Sequence, residues 1–251
     1  MIGGLKKFIE IVSPHISDTC SKQMNSWDLL LENNPVNATR ILDFGCGDGS
    51  TINFKELQEN GKVSPLWIGL DISNSNKNND IQSVVYDGNR IPFQNSVFDI
   101  VYSKQVLEHV RFPDDTVKEI VLVLKPGGLF IGSVSHTEPY HAYSIFNWTP
   151  YGVIQVFKNA DIDSIQIYPG IDGLTLFMRR FTLGKLGNYF FIHESPLNLL
   201  VSAFGKACGK TNSEINAIKL TVCGHVCFVA RKRTKVNNFD TFSCLNISKK
   251  K

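Results

Sequence analysis

The 251-residue chain predicts an α/β fold, a mainly parallel sheet covered by helices on both faces. Two observations carry this. Short apolar runs that end in an acid recur at Arg40–Asp43, Leu66–Asp71 and Val84–Asp87, and stretches of helical periodicity alternate with strand-like ones through residue 168. The run Arg40-Ile-Leu-Asp-Phe-Gly-Cys-Gly-Asp-Gly-Ser50 then turns an apolar strand into a glycine-rich loop. Glycines at 45, 47 and 49 permit a sharp turn and a close backbone approach to a ligand, with the free N–H groups of a following helix beside it.

Residues 1–38 read as two short helices, about Leu5–Val12 and Lys22–Glu32, forming an N-terminal helical cap ahead of the first core strand. Asp43 sits two residues before the first glycine, where a carboxylate repels a pyrophosphate but suits a cationic amine. Leu66–Asp71, bounded by Pro65, reads as a buried parallel strand with Asp71 at its carboxyl end. Ligands of open α/β sheets lie at such ends, and an acid there can accept two ribose hydroxyls. The next segment, Ile72–Ile81, is polar and shorter than the dozen or so residues of a parallel crossover, so one irregular turn is expected in place of a helix. Asp99 precedes the buried strand Ile100–Tyr102 and reads as structural. Pro113 suits a first helical turn, the apolar residues at 117, 120, 121 and 124 make one face, and Pro126 ends the helix before a further apolar strand. A last strand near Leu220–Lys232 is expected to complete a sheet edge, with a polar tail over 234–251.

Leu42–Gly49, Leu66–Ile72, the stretch Val84–Gly88 with Ile91-Pro-Phe93 and Ser96–Tyr102, and Ser103–Val110 leading to Lys125-Pro-Gly-Gly128 together resemble, in order, the motifs of the class I S-adenosylmethionine-dependent methyltransferases, most closely the small-molecule "type 11" group. The resemblance covers about residues 38–136. It implies a Rossmann-like seven-stranded sheet whose last strand is antiparallel, with a core over 39–170 and 219–233 and a substrate-side lid or insert over 171–218. It implies S-adenosylmethionine as cofactor: Asp43 near the methionine amine; Gly45, Cys46, Gly47 and Gly49 around the amino-acid moiety; Asp71 and Ile72 at the ribose; Asp87 and Gly88 at the adenine; and Ser103 at the end of the fourth strand. A nicotinamide oxidoreductase is disfavoured, because its Gly-x-Gly-x-x-Gly places the third glycine at position 50, which is serine.

Composition narrows the partners. A net charge of +3, much of it in Arg231-Lys-Arg233 and Lys249–Lys251, does not form a basic face with interleaved aromatics, so no nucleic acid is expected. Six cysteines make no pair of CxxC motifs and no zinc site, and Cys223 and Cys227 read as buried thiols. No secretory segment or apolar run near 18 residues is seen, so the chain reads as cytoplasmic without stable membrane insertion.

For the reaction, the resemblance places His109 after the fourth strand and His136 after the fifth, both candidate bases, with Tyr140 beside them. His141 and Tyr143 are expected on the acceptor side, as are Arg179 and Arg180, whose guanidinium forks suit a carboxylate or phosphate. The reading is methyl transfer to a small polar acceptor, at oxygen, with a sugar or glycan precursor preferred by analogy. Transfer to an amine, or cofactor binding without catalysis, stays open.

Overall fold

The computed structural model describes residues 2–19, 22–34, 38–50, 52–53, 56–57, 65–78, 81–138, 143–181 and 193–234. Seven strands, β1 (Arg40–Phe44), β2 (Leu66–Asp71), β3 (Gln82–Val85), β4 (Phe98–Lys104), β5 (Leu124–Ser135), β6 (Ile162–Pro169) and β7 (His225–Lys232), form one sheet in the order β3-β2-β1-β4-β5-β7-β6. The first five are parallel, whereas β7 runs antiparallel to both β5 and β6. The α/β class, the parallel core and the antiparallel last strand thus match expectation. The edge assignment does not, because β7 is inserted between β5 and β6 and leaves β6 at the edge. Its residues explain the position: Val226–Ala230 are all buried, as an inner strand requires, whereas β6 exposes Asp163, Ser164 and Gln166. That strand also starts later than expected, since Leu220–Val222 close a helix begun by the Thr211/Glu214 capping box.

Helices α1 (Ile2–Val12), α2 (Ser26–Asn33), α3 (Pro113–Val123), α4 (Pro150–Lys158), α5 (Gly173–Phe181), α6 (Pro196–Ala207) and α7 (Asn212–Val222) flank the sheet. Strand alternation sorts the core into two layers. Leu42, Phe44 and Phe130 face Val12 of α1, Ile120 of α3, Phe157 of α4 and Leu220 of α7, while Ile41, Tyr102 and Ile131 face Leu29 and Leu30 of α2. In the first layer Phe130, Phe157 and Phe228 pack with ring centroids 4.8–5.5 Å apart, edge-on or tilted. Helix α2 begins at Ser26 and not at Lys22, because the Asn25 side chain accepts the Asp28 N–H at 2.9 Å and caps it. Residues 72–78 contain no helix, as their polarity predicts. The helix expected after the glycine turn falls largely outside the described residues.

Chain order runs outward in opposite directions from β1 and β4, so the carboxyl ends of these neighbours form the crevice where an α/β sheet receives a ligand.

Candidate functional site

That crevice is a cavity of about 820 Å³, with Gly45, Asp71, Asp87 and Gly88 on one side and Val106 and His109 on the other. Gly45 opens it. Its φ of +76° lies in the left-handed region, and a Cβ there would meet the Val106 side chain, Cγ1 at 2.7 Å. The Gly45 N–H donates to the Leu70 carbonyl at 2.7 Å, stitching the turn to β2. The Gly47 N–H donates to Asp71 Oδ2 at 2.9 Å and the Ser73 N–H to Oδ1 at 3.1 Å, so the backbone fixes the carboxylate at the cavity wall. Asp87 is held likewise by the N–H groups of Asn89 and Arg90, at 2.9 and 3.3 Å, which keep its carboxyl below the ordinary range.

Of the ten residues expected at a cofactor, Gly45, Asp71, Ile72, Asp87 and Gly88 line this cavity. Asp43 is only 1% exposed and lies beneath the turn, and Cys46 is buried beside Gly69. Burial, helped by Asp43 and Asp71, pushes the Cys46 thiol up to about 12, which removes it as a nucleophile at neutral pH. Gly47, Gly49 and Ser103 are not among the lining residues, and Ser103 is buried.

A polar cluster lies at the ends of β4 and β5. The Ser135 hydroxyl is 2.7 Å from Gln105 Oε1, 2.8 Å from Glu108 Oε1 and 3.0 Å from Glu138 Oε2. One hydroxyl hydrogen cannot serve three acceptors. Turning the Gln105 amide so that its nitrogen faces inward resolves this, giving donors to Glu108 and Glu138 at 3.2 Å each. Glu138, 3% exposed, also pairs with Arg180 and with His225 Nε2 at 3.0 Å. Burial pushes the Glu138 carboxyl up, but the hydrogen bonds and charges of His225 and Arg180 outweigh it and hold it at about 2.

Residues 42–132 match a family described as the methyltransferase domain. Residues 42–132 thus carry a methyltransferase domain. A tRNA (carboxymethyluridine(34)-5-O)-methyltransferase of Arabidopsis thaliana is 28% identical over 158 residues, covering 58% of this chain and 37% of that protein. The mitochondrial arginine-hydroxylase NDUFAF5 of Homo sapiens is 30% identical over 102 residues, covering 40% of this chain and 30% of that protein. The match thus spans about a third of these relatives' lengths. Among solved structures, phosphoethanolamine N-methyltransferase 2 of Haemonchus contortus in complex with S-adenosyl-L-methionine superposes with a TM-score of 0.53 at 18% identity, covering 83% of this chain and 52% of that one.

His109 closes a 3-10 turn over Leu107–His109 and lines the large cavity, as does Tyr143, which is 94% exposed. His136 lines none of the cavities described here. It is half-buried, its ring bonds the Trp148 backbone, and burial lowers its pKa. Tyr140 and His141 lie outside the described residues. The two arginines part company: Arg180 is engaged by Glu138, and Arg179 faces a smaller cavity behind Gln105. No group of three or more His, Cys, Asp or Glu residues spaced for a metal occurs among the described residues, and no described helix is long and apolar enough to cross a membrane. Sequence reasoning missed Glu108, Glu138 and His225. The signal for the last was the antiparallel strand itself, because it carries its first residue to the carboxyl ends of the others, with Ser135 opposite His225.

Proposed function

We propose that this chain transfers a methyl group from S-adenosylmethionine to an oxygen of a small polar acceptor. The observation that carries the reading is the pair of acids at successive strand ends, Asp71 after β2 and Asp87 after β3, facing one cavity beside the glycine turn. Backbone N–H groups orient both carboxylates, Asp71 for the ribose hydroxyls and Asp87 for the adenine amine. The cofactor supplies a methyl group on a sulfonium, whose departing thioether needs no proton. The chain's own contribution is to align acceptor with donor, to exclude water and to take a proton where the acceptor is a hydroxyl. Alignment is the larger share, since well-oriented reactions reach effective molarities on the order of 10⁵ M and above. His109, on the cavity wall, is the expected base. A sugar or glycan precursor is the preferred acceptor, and a cytoplasmic location is the preferred setting. The tRNA relative makes nucleic acid an arm of any acceptor screen.

Calorimetric titration with S-adenosylmethionine, S-adenosylhomocysteine and NAD tests the donor. The first two are expected to bind and NAD to fail, and Asp71→Ala is expected to weaken binding by about tenfold or more through the loss of charged hydrogen bonds. Binding of NAD alone overturns the reading, and an unchanged affinity in Asp71→Ala removes that residue from the site.

A further inference from the structure

Strands β3, β2, β1 and β4 bring their carboxyl ends to the large cavity, and their register fixes the order of groups met across it. Asp71 pairs with Val85, Phe44 with Leu70 and Asp43 with Tyr102, so from β3 to β4 the wall runs Asp87, Asp71, Gly45 and Lys104. All four line the cavity. Its acids therefore stand toward one end of the row, and a lysine closes the row beyond the glycine turn.

The chain around Lys104 keeps it there. As the last residue of β4 it pairs with Ser133, and the next N–H, that of Gln105, donates to the Ser133 carbonyl at 2.9 Å. Gln105 then takes a φ of +58°, a left-handed strain that non-glycine residues keep where the surroundings enforce it, often at functional sites. The backbone thus turns directly after Lys104, which stays exposed at the cavity. Among the described residues no carboxylate pairs with its ammonium. The Cys227 thiol, which feels its charge, is kept protonated by burial. The other cation of the lining, Arg111, lies 6.0 Å from the centre of the Phe112 ring.

A ligand laid along this row meets two hydrogen-bond acceptors first and a cation last. S-adenosylmethionine carries its groups in that order: adenine amine, ribose hydroxyls, sulfonium, and the amino-acid end with its carboxylate. The first two are donors that suit Asp87 and Asp71, whereas a carboxylate is repelled by those acids and stabilised by an ammonium.

We propose that Lys104 binds the α-carboxylate of the cofactor's methionine moiety. The inference rests on the methyl-transfer reading above. With Asp71 at the ribose and Lys104 at the carboxylate, the sulfonium between them has a fixed place, which is what alignment of its methyl group requires.

The test is calorimetric titration of the full chain with S-adenosylhomocysteine and with its decarboxylated form, which keeps the adenine, the ribose and the amine. The intact ligand is expected to bind about tenfold tighter. Lys104→Gln is expected to bring the two within about twofold by weakening the intact ligand alone, Lys104→Arg to keep most of the gap, and Arg111→Gln to keep all of it. Binding of neither ligand to the unaltered chain overturns the methyl-transfer reading and the role of Lys104 with it. Equal affinities in the unaltered chain, or an undiminished gap in Lys104→Gln, overturn the role of Lys104 alone. Equal weakening of both ligands in Lys104→Gln overturns it too, because a merely structural residue has that effect.

Discussion

Substituting Gly45 by alanine adds one methyl group at the point where β1 turns into the cavity. Two costs follow, and they separate. The φ of +76° is unfavourable for any residue with a Cβ, by roughly 1–2 kcal/mol. The new methyl also enters the Val106 side chain, with Cγ1 at 2.7 Å, and overpacking of that kind costs about 1–3 kcal/mol. The single variant is therefore expected to lose about 2–5 kcal/mol. Val106→Ala removes both γ-carbons and leaves its Cβ at 3.0 Å, so Gly45→Ala made in that background is expected to cost about 1–2 kcal/mol for the backbone and a small remainder for that contact. Urea denaturation of the four proteins of this cycle measures the difference directly, as a coupling of about 1–3 kcal/mol. Additivity within about 0.5 kcal/mol shows that the turn relaxes away from Val106, and the close-approach argument then fails.

Three further outcomes are expected. The Glu138 carboxyl is depressed in the folded chain to about 2, so its contribution is complete above the ordinary value of 4.5 and is lost as pH falls from there through 2. Glu138→Gln is accordingly expected to cost about 3 kcal/mol at pH 7 and little near pH 2, and equal destabilisation at both pH values in thermal melts contradicts the pairing. Asp99→Ala is expected to cost about 1–3 kcal/mol, because Oδ2 accepts the Thr39 and Arg40 N–H groups at 3.0 Å and Oδ1 the Lys125 ammonium at 2.6 Å. Calorimetry on that variant is expected to return wild-type S-adenosylhomocysteine affinity, and a tenfold loss places Asp99 in the site. Asp87→Ala reverses the pattern, weakening the cofactor about tenfold with little change in stability, and equal affinity excludes it from the adenine contact.

Three of the five parallel strands were legible because an acid that sequence alone marks stands at or near the end of each, Asp43 before its glycines, Asp71 after Leu70, Asp87 before Gly88. The missing crossover helix was legible too, since Ile72–Ile81 has neither the length nor the apolar face for one. Strand order at the other end was not. Whether Val226–Ala230 lies inside or at the edge depends on β6, whose partner sequence cannot name, and a uniformly apolar run fits an inner strand as well as an end one. The polar cluster failed for a similar reason. Glu108, Glu138 and His225 are far apart in sequence, and only the register that sets Ser135 opposite His225 brings the last to the first two. His136 drew attention as the histidine nearest the end of β5, yet the Trp148 backbone takes up its ring.

The interior position of β7 also sets the order in which the molecule can be assembled. Among the described strands β6 pairs with β7 alone, so residues 162–169 have no strand partner until residues 226–232 have been synthesised. The half built from β1 to β5 is free of that dependence and can close on a nascent chain while the rest is still being made. A ribosome-bound intermediate would thus own the cavity at the β1–β4 crevice before its last two strands have met.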